Sequence, residues 1–183
     1  MTTPSIVTLE RFRDTSAAEL AARAKQLRLE ILDVISHAPM GHYSSSLSCA
    51  EILATLYKHV LRLRAGDPAW ADRDRFLLGK GHVAVALWPL FAELGFFPAD
   101  WLKTFGRLDS KLTDHPDMHR APGVDFSSGS LGHNLSVGLG MALAAKRRGF
   151  DHRMYVLLGD GEIHEGQVWE AAMAAGHYKA DNL

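Results

Sequence analysis

Three features of the sequence predict an α/β fold, a parallel sheet flanked by helices with a helix-rich first half. Met154-Tyr155-Val156-Leu157-Leu158 is a continuous apolar run, as expected of a strand buried on both faces of a parallel sheet. It runs into the turn Gly159-Asp160-Gly161-Glu162 and a helix over 165–178, placing that turn at the carboxyl end of the strand, where such sheets bind ligands. Just before it, residues 132–148 read as a helix rich in small residues (Gly138, Gly140, Ala142, Ala144, Ala145), suited to close packing.

The earlier elements follow from periodicity and caps. Residues 1–15 read as a flexible N-terminal segment. Apolar positions at three- and four-residue spacing from about Leu9 to Ile35 (Leu20, Ala24, Leu27, Leu29, Leu32, Ile35) predict a long amphipathic helix. Thr15-Ser16 supply its caps, and it ends near Pro39. Gly41–Ser48 is a polar loop, and Ser48 with Glu51 forms a capping-box start for a helix through about Val60. Phe76-Leu77-Leu78 is a short apolar segment; the turn Gly79-Lys80-Gly81-His82 opens a helix over 83–94, and a short helix occupies 98–106. Asp109–Ser128 is an ordered loop, long enough to suggest a functional role.

Composition narrows the function. The 183 residues suit a single domain, and 47% are apolar, enough for a sizeable core. Twenty Lys and Arg stand against 21 acidic residues, so there is no basic surplus to favour nucleic acid or an anionic membrane surface. The partner expected is a small molecule or another protein. The single cysteine, Cys49, forms no internal disulfide and suits a reduced, cytoplasmic setting. Neither a signal peptide nor a membrane span is legible, the most apolar stretch, 83–97, being broken by Pro89 and Glu93.

Two local patterns point to chemistry. In Gly159-Asp160-Gly161 the glycines permit backbone to approach a phosphate and the carboxylate suits Mg²⁺, although a plain turn explains the same residues. The spacing is not G-x-G-x-x-G, and no Walker lysine is present. Of ten histidines, His42, His82 and His115 sit in loops or at helix starts, where an imidazole serves as acid, base or hydrogen-bond partner; a solvated surface histidine is the competing reading for each. His115 and His119 have the i, i+4 spacing of a zinc pair, but Pro116 opposes the helix needed to align them. Cys49 reads as a core thiol, Ser44–Ser46 lacks a nucleophile elbow, and Ser127–Gly132 is a loop-to-helix junction that either holds an anion or simply turns.

Taken in order, these segments resemble a known family. Gly41-His42, Leu47-Ser48, Ala50-Glu51-Ile52-Leu53, Asp72–Phe76 leading to Lys80-Gly81-His82, His115-Pro116-Asp117, Gly129-Ser130-Leu131-Gly132, and Gly159-Asp160-Gly161 with Glu165-Gly166 resemble the thiamine-diphosphate domain of transketolases. The resemblance runs from about residue 20 to 183 and is nearest to the N-terminal subunit of the split bacterial form. It implies transfer of a two-carbon ketol unit from a ketose to an aldose, with thiamine diphosphate and Mg²⁺ as cofactors. By the same resemblance Asp160 is a Mg²⁺ ligand, and Gly159 and Gly161 let backbone reach the diphosphate. His82 touches the diphosphate and faces the reacting carbon; His42 and His115 bind donor oxygens and move protons. Gly129 and Leu131 border the cofactor ring, and Glu165 joins a carboxylate network between subunits.

The departures are Tyr43-Ser44-Ser45-Ser46 and His133-Asn134 where glycines and Gln-Gly are usual, which leaves the substrate open between a sugar other than the common pentose phosphates and a biosynthetic specialist. The family's cofactor motif closes with an asparagine beyond Leu183, and its catalytic glutamate belongs to another domain. The expectation is therefore one C-terminally incomplete domain over 1–183, inactive without its continuation and a partner subunit bearing the pyrimidine-side domain, in a homo- or hetero-oligomer. The alternatives are another thiamine enzyme, similar to deoxyxylulose-phosphate synthase or dependent on a 2-oxo acid, and a truncated non-catalytic homologue.

Overall fold

The computed structural model describes residues 7–38 and 40–183. Its elements are β1 (Val7–Leu9), α1 (Ala17–Ser36), α2 (Tyr43–Leu47), α3 (Ala50–Thr55), β2 (Leu63–Ala65), β3 (Arg75–Leu78), α4 (Trp88–Glu93), α5 (His133–Arg147), β4 (Met154–Leu157) and α6 (Gly166–His177). Turns of 3-10 helix lie at Gly81–Ala86, Ala99–Thr104 and Glu162–His164, and a π turn at Leu56–Val60. β1 pairs antiparallel with β2. β3 and β4 pair in parallel, Arg75 opposite Met154 and Leu78 opposite Leu157.

The first helix begins at Ala17 rather than near Leu9, because Leu9 is used in β1. Ser16 is its N-cap in a complete capping box: the Glu19 N–H donates to Ser16 Oγ at 3.3 Å and the Ser16 N–H to Glu19 Oε2 at 2.8 Å. Ser16→Ala is expected to cost about 1 kcal/mol, read as a lower denaturation midpoint. The buried face is Ala24, Leu27, Ile31, Val34 and Ile35. Leu29 and Leu32 point outward instead, because the stripe facing α3 follows 24, 27, 31, 34.

Pro39, expected near the helix end, lies outside the described residues, as do Met1–Ile6 of the segment expected to be flexible. Over 7–15 that segment holds a strand and two anchoring arginines. Arg11 Nη2 donates to Asp74 Oδ1 at 2.7 Å. The Arg13 guanidinium donates to the carbonyls of Tyr57, Lys58 and Leu61 at 2.6–2.8 Å.

Between residues 41 and 94 the local reading needs correction. The expected loop contains α2, and Ser48 does not cap α3: its hydroxyl donates to the Ser45 carbonyl at 2.7 Å, leaving Cys49 at the N-cap. Cys49 is buried, its thiol donates to the Ser46 carbonyl at 3.2 Å, and burial pushes its pKa up, as befits an unreactive core thiol. The helix expected over 83–94 is divided, a 3-10 turn through Ala86 giving way to α4. Pro89 in the first turn of α4 lacks the N–H that would continue the preceding helix. Trp88, Phe91 and Phe105 are the largest fully buried side chains and pack with Leu27, Ile31 and Leu53 in one core.

The long loop over 109–128 is tied to β3 through Asp125. Arg73 donates twice to Asp125, at 2.9 and 2.6 Å, and the Phe76 N–H adds a third bond at 3.0 Å, fastening the loop to β3. Of β4 only Met154 is buried; Tyr155, Val156 and Leu157 are half-buried, not covered on both faces as the apolar run implied. β3 pairs along one edge of this strand, whereas on the other, among the described residues, only the Met154 N–H is bonded, to the Asn182 carbonyl at 2.8 Å.

Candidate active site

At the carboxyl ends of β3 and β4 the chain turns through Gly79-Lys80-Gly81-His82 and Gly159-Asp160-Gly161-Glu162. Parts of both turns, with Leu131, Ser45 and Ser48, line a cavity of about 190 Å³. Lys80 is held in it by bonds from its ammonium to Ser48 Oγ at 3.2 Å and the Ser45 carbonyl at 3.4 Å. His82, Leu131, Gly159, Asp160 and Gly161 are thus brought to one place. Gly129 and Glu165 do not line this cavity; Glu165 is exposed at the start of α6.

The three histidines converge around a residue that sequence reasoning missed. His42, at the N-cap of α2, meets His82 edge to face with ring centroids 4.9 Å apart. Asp114 Oδ2 lies 3.7 Å from Nδ1 of both His42 and His115. Its other oxygen, Oδ1, is buried and accepts no bond from the described residues. Asp114 therefore lies between the two imidazoles as a shared negative charge, beyond hydrogen-bond distance of either. Partial burial, and then the charges of His42, His115 and Lys80, push the His82 pKa below its ordinary value, while Asp114 opposes the shift. The neutral ring that results at neutral pH can accept and return a proton. His115 also lines an open groove of about 750 Å³ with Asp117, His119 and Arg120. Among the described residues no cluster of three His, Cys, Asp or Glu ligands accompanies the His115–His119 pair.

The cavity fits one end of a phosphate-bearing ligand. A Cβ placed on Gly161 would meet no protein atom within 4 Å, so the turn leaves open space where a side chain would stand. Asp160 is exposed beside that space, and Lys80 contributes a cation from the facing wall. A single carboxylate next to room for phosphate oxygens suits Mg²⁺, which prefers such mixed oxygen ligands. The cavity is small for a whole organic cofactor, matching the corner of a larger site.

Residues 20–183 match the family model described as transketolase, thiamine diphosphate binding domain. The chain belongs to this transketolase family. The transketolase domain is 45% identical over 166 residues to an apulose-4-phosphate transketolase subunit of Actinobacillus succinogenes, covering 90% of this chain and 60% of that protein. A 6-deoxy-6-sulfo-D-fructose transketolase subunit of Clostridium sp. (strain MSTE9) is 41% identical over 165 residues, with the same coverage of each. The crystal structure of transketolase from Campylobacter jejuni superimposes with a TM-score of 0.84 at 33% identity, over 92% of this chain and 28% of that one. The domain thus spans about 60% of these subunit relatives and 28% of that transketolase chain.

Two further residues went unassigned in the sequence. Lys80 was visible only as part of Lys80-Gly81-His82, with no role attached. Glu162, named in the sequence only as the last residue of the glycine turn, is buried. Among the described residues no helix is long and apolar enough to cross a membrane.

Proposed function

We propose that the longer protein containing this domain transfers a two-carbon ketol unit from a ketose donor to an aldose acceptor, with thiamine diphosphate and Mg²⁺. The observation that carries this reading is the meeting of His42, His82 and the Asp114–His115 pair beside the cavity that holds Asp160. Asp160 is the Mg²⁺ ligand, Gly159 and Gly161 let backbone lie along the diphosphate, and Gly129 and Leu131 border the cofactor ring. Thiamine diphosphate, when bound, supplies the electron sink for C–C cleavage. His82, which lines the same cavity, would contact the diphosphate and face the reacting carbon. His42 and His115 hydrogen-bond donor hydroxyl and carbonyl oxygens and move protons there, with the Asp114 carboxylate between them to stabilise a ring that takes up a proton. Glu165 joins a carboxylate network between subunits.

The relatives named as transketolase subunits support a partner in the form of a second polypeptide. In our reading that partner bears the pyrimidine-side domain, and the two work as a homo- or hetero-oligomer in the cytoplasm. The 183 residues alone are expected to be inactive. The relatives' names, apulose 4-phosphate and 6-deoxy-6-sulfo-D-fructose, favour a sugar or sugar phosphate outside the common pentose phosphates as donor. Tyr43–Ser46 and His133-Asn134, which depart from the family pattern, agree with that.

The test mixes the full-length subunit with its partner subunit, thiamine diphosphate and Mg²⁺, and offers ketose and 2-oxo-acid donors. Turnover is expected with ketoses alone. Turnover confined to 2-oxo acids overturns the proposal.

A further inference from the structure

Glu162 is one of the few buried charged residues, 2% exposed, and none of the ion pairs among the described residues involves it. Such a carboxylate is costly unless N–H donors satisfy it. Two do: Glu162 Oε1 accepts from the Gly132 N–H at 3.0 Å and Oε2 from the Gly159 N–H at 3.0 Å. These donors belong to different walls. Gly132, at φ +85°, ends the loop that carries Gly129 and Leu131 into α5, and Gly159 begins the turn that carries Asp160.

A third element leaves the carboxylate its space. At Gly79, where β3 ends, an added Cβ would fall 2.5 and 2.6 Å from the two Glu162 oxygens and 2.7 Å from the Leu157 carbonyl oxygen. The ends of β3 and β4 and the start of α5 therefore converge on one side chain. Its neighbour Asp160 is exposed at the cavity, whereas both Glu162 oxygens are turned to backbone. The two acids of one turn are divided by environment into an outward ligand and an inward clamp.

We infer that Glu162 is a positioning residue that fixes the separation of the Leu131 wall from the Asp160 wall and so sets affinity for a metal-bound diphosphate. This rests on the function proposed above, and the experiment separates the two. In the full-length protein assembled with its partner, Glu162→Gln keeps one acceptor oxygen but turns an NH₂ group towards the second N–H. Glu162→Ala removes both acceptors. Three quantities are compared with the parent protein: thiamine diphosphate and Mg²⁺ affinity by calorimetry, the KM for cofactor against kcat, and amide hydrogen exchange at Gly132 and Gly159.

The expected result for Glu162→Gln is about tenfold weaker cofactor binding, a matching rise in the cofactor KM, a smaller change in kcat, and loss of protection at one of the two amides. Glu162→Ala loses protection at both and binds still more weakly. Unchanged cofactor affinity with either variant overturns the inference, as does undiminished protection of both amides in Glu162→Ala. A parent protein that binds no thiamine diphosphate overturns the proposed function instead. Hydrogen exchange still decides whether Glu162 clamps the two walls, because that measurement needs no cofactor.

Discussion

Replacing His82 with alanine in the assembled two-subunit enzyme is expected to reduce turnover about 1000-fold, the range for loss of a positioned proton-transfer group. Of the three candidate histidines, His82 is the one that both lines the Asp160 cavity and meets a second candidate, His42, edge to face. Its pKa is pushed down, so in the parent enzyme the ring stays neutral to a lower pH than an ordinary imidazole. The acid limb of the pH–rate profile is accordingly expected to fall below the usual histidine range. Full turnover in His82→Ala, measured at saturating cofactor and donor, defeats the assignment of this residue. An acid limb at or above that range defeats the account of its environment.

Asp74→Ala is expected to lower stability by about 3 kcal/mol, read as a shift in the midpoint of urea denaturation of the full-length protein. The Asp74 side chain is fully buried, with 0% of its surface exposed. It accepts from Arg11 Nε and Nη2 at 2.7–3.1 Å, from the Arg62 N–H at 2.9 Å and from the Arg153 N–H at 2.8 Å. Those donors bring together the segment after β1, the approach to β2 and the start of β4. Truncation strands all of them at once, and leaving buried donors unpaired costs more than the bonds themselves contribute. Asp74→Asn preserves the shape but faces several donors with an NH₂ group, so a loss intermediate between parent and alanine is expected. A loss under about 1 kcal/mol for Asp74→Ala would show that water replaces the carboxylate without difficulty.

Where the chain's own pattern is local and strong, sequence and structure agree closely. α5 and α6 fall within about a residue of the helices read from small-residue and apolar spacing, and Ser16, one of the two residues read as caps, caps α1. The apolar run of β4 was legible as a strand, but its degree of burial was not, since burial depends on what lies beside it. Where two local signals compete, the reading failed. Ser48 had the spacing for a capping box, yet its hydroxyl is already bonded to Ser45. Leu9 fitted a helical period, yet pairing with Leu63 places it in a strand.

By itself the sequence determined the strand–turn–helix around Asp160 and the histidines worth watching, because apolar periodicity, glycine spacing and the order of motifs are carried by residues near one another along the chain. Only the tertiary structure decided which of them meet. It joined His42 and His115 through Asp114, fastened the long loop by Arg73 and Asp125, 52 residues apart, and gave Glu162 a bond to Gly132, 30 residues away. Glutamate and aspartate in a turn look alike in sequence. Burial among backbone N–H groups separates the clamp, Glu162, from the exposed candidate ligand, Asp160, and burial is a property of the packed chain alone.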